Sequence, residues 1–240
     1  MSERLAEALD DHLRLAIACH QTFLTSETEK VLGLFNNTYG AHCLNLVQNQ
    51  LVFAGLLALN RLWDTAPGAN SLPITLRGLA PDGPLRESAI AIRKDFELSR
   101  PDKAKISGPV DEEIVRQMLR EDAKKRADSV DAQFSEEFDN FRNLVQAVLG
   151  SDLNKRLRLL RDKVMAHSLE EARLEVKARQ AGEVIGPVTY SDFDEALARS
   201  IPIVKSALLL LTYSNIDSDE VSDIWKEYGT DFWGLIGGRT

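Results

Sequence analysis

Apolar residues recur every three or four positions along most of the chain. Leu5, Leu9, Leu13, Ala16, Ile17, His20, Phe23 and Leu24 keep that spacing over residues 3–24, which predicts an amphipathic helix. Ser26 followed by Glu29 has the form of a capping box, so a new turn is expected there. Beyond a bend at Gly40, Leu44, Val47, Leu51, Val52, Leu56, Leu59 and Trp63 mark a second, strongly apolar helix, ended by Pro67 and Gly68. Helical spacing returns over residues 111–149 with Ile114, Met118, Phe134, Phe138, Phe141, Leu144, Val145 and Val148. Within it, residues 120–131 are almost wholly polar and are expected to form a solvated face or a projecting segment. Gly150 then Ser151 reads as a helix stop and an N-cap, opening a helix over residues 152–176. Ser191 is expected to cap a last long helix over 192–213, with Pro202 kinking it or sitting in an offset turn.

The connections are less regular. Residues 65–110 hold six of the eight prolines, which predicts a loop-rich insertion carrying short helical pieces near 74–79 and 85–99. Residues 180–191 are turn-rich and fit a small hairpin. The tail, 217–240, concentrates Trp225, Tyr228, Phe232 and Trp233; such side chains pack back onto the body of the protein or against a partner. The expected architecture is an all-α, antiparallel bundle of four to five long helices over 1–216, with the insertion at 65–110 and the aromatic tail at 217–240.

Composition narrows the classes. The formal net charge is −8, so the chain as a whole repels nucleic acid, and any such partner must meet a local basic surface. Cys19 and Cys43 lie in apolar helical patterns and read as small buried hydrophobes, not as a disulfide framework. The first residues are charged and amphipathic, without the apolar run of a signal peptide, and the longest continuous apolar patch, 207–211, is far too short to span a bilayer. A cytoplasmic location and no membrane partner are therefore expected.

The most informative chemistry lies in residues 151–179. Leu153, Leu157, Leu160 and Val164 form one buried stripe. Arg161 and Ser168 fall on one shoulder of it, Lys163 and His167 on the other, and Asp162 points away. Arg161 and His167 differ by about 120° around an ideal helix, so one regular helix does not focus both on one phosphate. Two copies packed across a twofold axis would, as would local unwinding near Met165 and Ala166. Residues 155–179 carry eight Lys or Arg against four Asp or Glu, a net charge of +4, which is the local basic surface that nucleic acid requires.

Arg161, five residues, then His167, at the end of an amphipathic helix, resembles the Arg–(four to six)–His motif of the HEPN superfamily, in which a polar residue, here Asp162, follows the Arg. The wording RDKVMAHS is similar to the abortive-infection AbiU-like branch, as are the upstream LLALNRLWD, the following SLPITLRGL and the late YSDFDEAL. The likeness covers residues 40–213. It implies a HEPN-like bundle and a metal-independent, cofactor-free endoribonuclease acting as a homodimer on RNA, in phage defence or as a toxin, with an antitoxin or regulatory protein as a further partner. In that scheme His167 moves a proton at the ribose 2′-OH or the 5′-oxygen. Arg161 holds the scissile phosphate, and Asp162 orients Arg161 or a partner's His167. Lys163, Lys155, Arg158 and Ser168 contact flanking phosphates. The alternative is an inactive HEPN-like scaffold or a nucleotide- or RNA-binding module.

Other chemistries lack their residues. No Glu-x-x-His marks a di-iron bundle, and His12, His20 and His42 have no zinc-ligand companions and read as surface or core-edge residues. There is no phosphate-cradling Gly-rich loop and no Gly-x-Ser-x-Gly elbow.

Overall fold

The apolar stripe of residues 3–24 becomes α1 (Ser2–Ser26), in which Leu9, Leu13, Ala16 and Ile17 are wholly buried. The structure, a computed structural model, describes residues 1–35, 39–104, 111–165, 179–180 and 185–237. The remaining helices are α2 (Glu29–Phe35), α3 (Gly40–Leu62), α4 (Leu72–Leu79), α5 (Arg86–Lys103), α6 (Glu112–Leu149), α7 (Asp152–Met165), α8 (Tyr190–Thr212) and α9 (Ser218–Gly237). Among the described residues there is no strand; of the expected hairpin, residues 185–189 are irregular and 181–184 lie outside the described residues.

Helix α1 is the axis of the bundle, packed against α3, α8 and α9. Its C-terminal end meets the N-terminal half of α3, where Gln48 donates to Ser26, so α1 and α3 are antiparallel. Helix α8 is antiparallel to α1 as well, because Asp194 near its start reaches His20 near the end of α1. The shared core holds Leu59, Leu62, Phe134, Phe141, Phe193 and Val204, all at most 1% exposed. Trp63 closes it, its indole N–H donating to Ser200 Oγ at 3.0 Å, which satisfies the polar end of a buried ring.

Helix α3 is long and apolar enough to cross a membrane by length and composition, a feature the 207–211 patch alone conceals. Its polar Gln48 and Asn60 are buried and bonded to other parts of the protein, while 39% of its most apolar stretch is buried.

Several local expectations are corrected. A new helix does begin at Glu29, but Ser26 does not cap it: Ser26 is the buried last residue of α1, donating to the Phe23 carbonyl and accepting from Gln48. The capping box of α8 sits two residues before Ser191, where the Thr189 hydroxyl accepts from Asp192 N at 3.3 Å and the Asp192 carboxylate accepts from Thr189 N at 2.8 Å. Cys43 is exposed, whereas Cys19 is buried and its thiol is pushed up by that burial.

Residues 120–131 form the solvated face and not the projecting segment: Glu121, Asp122, Lys124, Lys125 and Asp128 are exposed. Ala123, Ala127 and Val130 are buried, and these small side chains let α5 lie antiparallel on α6. The polar residues between them bridge the pair: Arg126 to Glu97 at 3.1 Å and Asp131 to Lys94 at 2.5 Å. The insertion is correspondingly more helical than its prolines suggest. Pro73 sits in the first turn of α4, where its missing N–H costs nothing, and α5 runs for 18 residues.

The tail is helix α9, parallel to α1. Trp233 is 2% exposed and donates its indole N–H to the Thr22 carbonyl at 3.1 Å. Gly229 allows the close approach: a Cβ there would lie 2.4 Å from Thr25 Oγ1.

Candidate functional site

Helix α7 carries the predicted site. Ser151 opens it, its hydroxyl accepting from Asn154 N at 3.2 Å. Leu153 and Leu157 are buried and Leu160 is partly so, as their spacing requires; Leu159, outside that stripe, is also buried. Asn60 of α3 donates to the Leu157 carbonyl at 2.5 Å, fastening the middle of α7 to the end of α3. Arg156 makes two bonds to Asp192, at 3.2 and 2.5 Å, fastening the same helix to the start of α8. Burial pushes the Asp192 carboxyl up, but the Arg156 guanidinium and the Thr189 N–H and hydroxyl outweigh it and hold the group below the usual carboxylate range.

One turn further on stands Arg161. Its Nη1 donates to Asp64 Oδ1 at 3.1 Å, and its Nη2 and Nε donate to Asp162 Oδ1 at 3.0 and 3.2 Å. All three side chains are about 30% exposed, so the cluster is anchored yet open to solvent. Asp64 follows the C-terminal end of α3 and is itself fixed: its Oδ1 accepts from Ala66 N at 3.0 Å and its carbonyl from Ser71 Oγ at 2.6 Å. A guanidinium has five N–H groups in a planar fork. Three are spent on the two aspartates, which sets the plane of the fork and leaves one N–H on each Nη for a ligand.

Of the other predicted residues, Arg158 and Lys155 precede Arg161 by about one and two turns of α7, and Lys163 follows it. Lys155 faces Asp152 at 3.1 Å, Arg158 is half-buried, and Lys163 is exposed. His167 and Ser168 lie outside the described residues. The net charge of +4 counted along residues 155–179 overstates the local potential, because Asp64, Asp152 and Asp192 come in from outside that segment to meet Arg161, Lys155 and Arg156. Beside Leu160, on the same helix, lies an open and largely apolar groove of about 560 Å³, walled by Phe53 and Val52 of α3 and by Val188 and Tyr190 at the start of α8. Tyr190 is held there by its hydroxyl on Asn49 at 2.9 Å and by stacking on Phe23.

The family model for AbiU2, a HEPN family, matches residues 2–232. The chain belongs to the HEPN AbiU2 family. No curated protein and no solved structure matches it. In this AbiU2 chain the match extends past the 40–213 span of the sequence resemblance, taking in α1 and most of α9.

Two of the fastening residues were missed in the sequence. Asp64 ends the LLALNRLWD phrase, and Asp192 lies in YSDFDEAL, so both phrases carried the signal without showing where their carboxylates point. Asn60, in the first phrase, is an amide inside an apolar run, which is itself a hint of a buried hydrogen bond. The remaining histidines serve packing or the surface. His20 sits edge-on to Phe193 with Nε2 2.6 Å from Asp194 Oδ1, His12 is half-buried, and His42 is exposed.

Proposed function

We propose that this AbiU2-family protein is a metal-independent endoribonuclease of abortive infection, with Arg161 as the phosphate-holding residue and His167 as the proton-transfer residue. The observation that carries the reading is the oriented guanidinium of Arg161, held by Asp64 and Asp162 on a partly exposed surface, six residues before His167. A pre-aimed fork stabilises charge that develops on a phosphodiester without a reorganisation cost at the moment of reaction. An imidazole with an unperturbed pKa near 6.5 exchanges protons at neutral pH. The His takes the proton of the ribose 2′-OH, the 2′-oxygen attacks phosphorus, and the 5′-oxygen leaves with a proton, giving a 2′,3′-cyclic phosphate and a 5′-hydroxyl.

Two Arg–His pairs meeting across a twofold axis complete such a site, so the active form is a homodimer acting in the cytoplasm. The two carboxylates on Arg161 make the spot net negative, so RNA must also be drawn by Lys163, Arg158 and Lys155. The test is purified protein and RNA in EDTA. Arg161→Ala and His167→Ala should fold and dimerise as wild type yet leave RNA intact. Cleavage by either variant at the wild-type rate ends the mechanism.

A second reading, a scaffold without catalysis, is favoured by α9. Ile224, Tyr228, Phe232 and Leu235 are all at least 40% exposed and lie on one side of the helix by their spacing of four, four and three. A regulatory or antitoxin protein would bind there. Intact RNA after incubation with wild-type protein, together with loss of partner capture on removing residues 217–240, supports it.

A further inference from the structure

Away from α7, the N-terminal end of α1 and the α4 region enclose an open cleft of about 540 Å³. That volume is typical of small-molecule sites. Its walls are mixed in a specific way. Leu5, Ile74 and Leu85 give it apolar surface, and Arg4 and Arg77 reach it from α1 and α4. No Asp or Glu lines it, although the chain carries 37 acidic residues against 29 basic ones. Arg4 makes no hydrogen bond or ion pair with the described residues. Arg77 makes only long bonds to main-chain carbonyls, 3.4 Å to Pro73 O and 3.4 Å to Thr65 O. Elsewhere Arg93 of α5 and Arg156 and Arg161 of α7 are matched with carboxylates at 3.1 Å or less. Two guanidiniums left without counter-charges beside apolar walls are complementary to an anion joined to a flat apolar body.

We infer that this cleft binds a small phosphorylated ligand of nucleoside-monophosphate type, its phosphate on Arg4 and Arg77 and its base against Leu5, Ile74 and Leu85. The site is separate from the Arg161 cluster but mechanically joined to it. Gly68, with a left-handed φ of +83°, turns the chain at the lip of the cleft. The same loop starts at Asp64, the residue that holds Arg161, and Arg77 donates to its Thr65 carbonyl. A ligand that draws Arg77 into the cleft acts on the segment that aims Arg161. Binding itself does not depend on the ribonuclease reading, and only its effect on cleavage rests on that reading.

The test is calorimetric titration of the full chain with AMP, GMP, CMP and UMP, and with adenosine and inorganic phosphate as partial ligands. At least one nucleotide should bind saturably, with adenosine and phosphate each weaker by roughly tenfold or more, the effect of losing one charge-assisted contact or the apolar contact. Arg4→Gln and Arg77→Gln should each weaken it by a similar factor with the thermal midpoint unchanged, whereas Arg161→Ala, which removes only the coupling, should still bind and change affinity by no more than a few-fold. The site is overturned if no nucleotide binds at millimolar concentration, if phosphate alone binds as tightly as the nucleotides, or if Arg161→Ala abolishes binding while the Arg4 and Arg77 variants retain it. None of these outcomes depends on RNA cleavage, so a protein that cuts no RNA can still pass, and an active nuclease can still fail.

Discussion

Asp64 and Arg161 stand 97 residues apart in sequence and 3.1 Å apart in the fold. The contact joins the end of α3 to the last turns of α7 and decides where the guanidinium points. An exposed pair of this kind adds at most about 1 kcal/mol to stability, so its value lies in aim. Asp64→Ala should leave the thermal midpoint nearly unchanged and lower kcat for RNA cleavage by roughly tenfold to a hundredfold, the scale on which misaimed groups lose rate. Asp64→Asn keeps an oxygen for Nη1 and removes one negative charge, so it should retain kcat within a few-fold and lower KM. Steady-state cleavage kinetics check both, and equal kcat for the alanine and wild-type proteins would refute the positioning role.

Asp192 makes α8 sensitive to acid. Its carboxyl is held below the usual range in the folded protein, so the folded state binds this proton less readily than the unfolded chain. Its contribution is complete above the unfolded pKa of about 3.9 and disappears as pH falls through the lower folded value. Asp192→Ala loses the capping box and leaves Arg156 without its partner, at a cost of about 2–4 kcal/mol near neutral pH. Urea denaturation at pH 7 and at pH 3 checks this: the gap between wild type and variant should narrow in acid.

His12 shifts stability nearer neutrality. Burial, and then the Arg61 charge, lower its pKa, with Asp11 opposing them. The unfolded chain therefore takes up a proton at higher pH than the folded protein. Stability is fully present above about pH 6.5 and declines as pH falls below it. His12→Gln should flatten the melting profile between pH 7 and pH 5. A variant whose midpoint falls with acid as steeply as wild type would remove His12 as the cause.

Helix type and core face were legible because burial obeys the 3.6-residue period: Leu9, Leu13 and Ile17, or Leu153 and Leu157, are buried as their spacing requires. The helical pieces expected near 74–79 and 85–99 are α4 and the body of α5; the prolines hid only their ends, since a proline in a first or last turn has the same composition as one in a loop. Residues 120–131 were expected to be either a solvated face, which they are, or a projecting segment, and the buried side of the stretch did not show. Alanines bury little apolar area, so a face built for close helix approach registers as polar when Arg126 and Asp131 surround it. Arg161 and Asp162 were named from their local motif, whereas Asp64 was not, because pairing across 97 residues leaves no local periodicity. His167 and Ser168 lie outside the described residues, so their placement rests on the sequence alone.

Helix α9 offers a test that separates packing from docking. Trp233 fills the space beside Val31 and Leu44, and truncating a buried tryptophan costs about 3–5 kcal/mol. Tyr228 and Phe232, at 59% and 47% exposed, cover little of the bundle. Tyr228→Glu and Phe232→Glu should therefore change stability by no more than about 0.5 kcal/mol, while Trp233→Ala should release the end of α9 and lower the thermal midpoint. If the two exposed residues instead form a contact between copies, the glutamate variants lose mass in light scattering as the assembly dissociates. Acidic side chains already rim this face, with Glu220, Glu227 and Asp231 against the single Lys226. Pairing α9 with its own copy would bring like charges together, whereas a basic partner would be attracted. The glutamate variants should accordingly leave oligomeric state unchanged, and a shift to monomer on either would place the contact between copies instead; Tyr228→Ala and Phe232→Ala, which remove apolar contact without adding negative charge, should weaken capture of a basic partner protein.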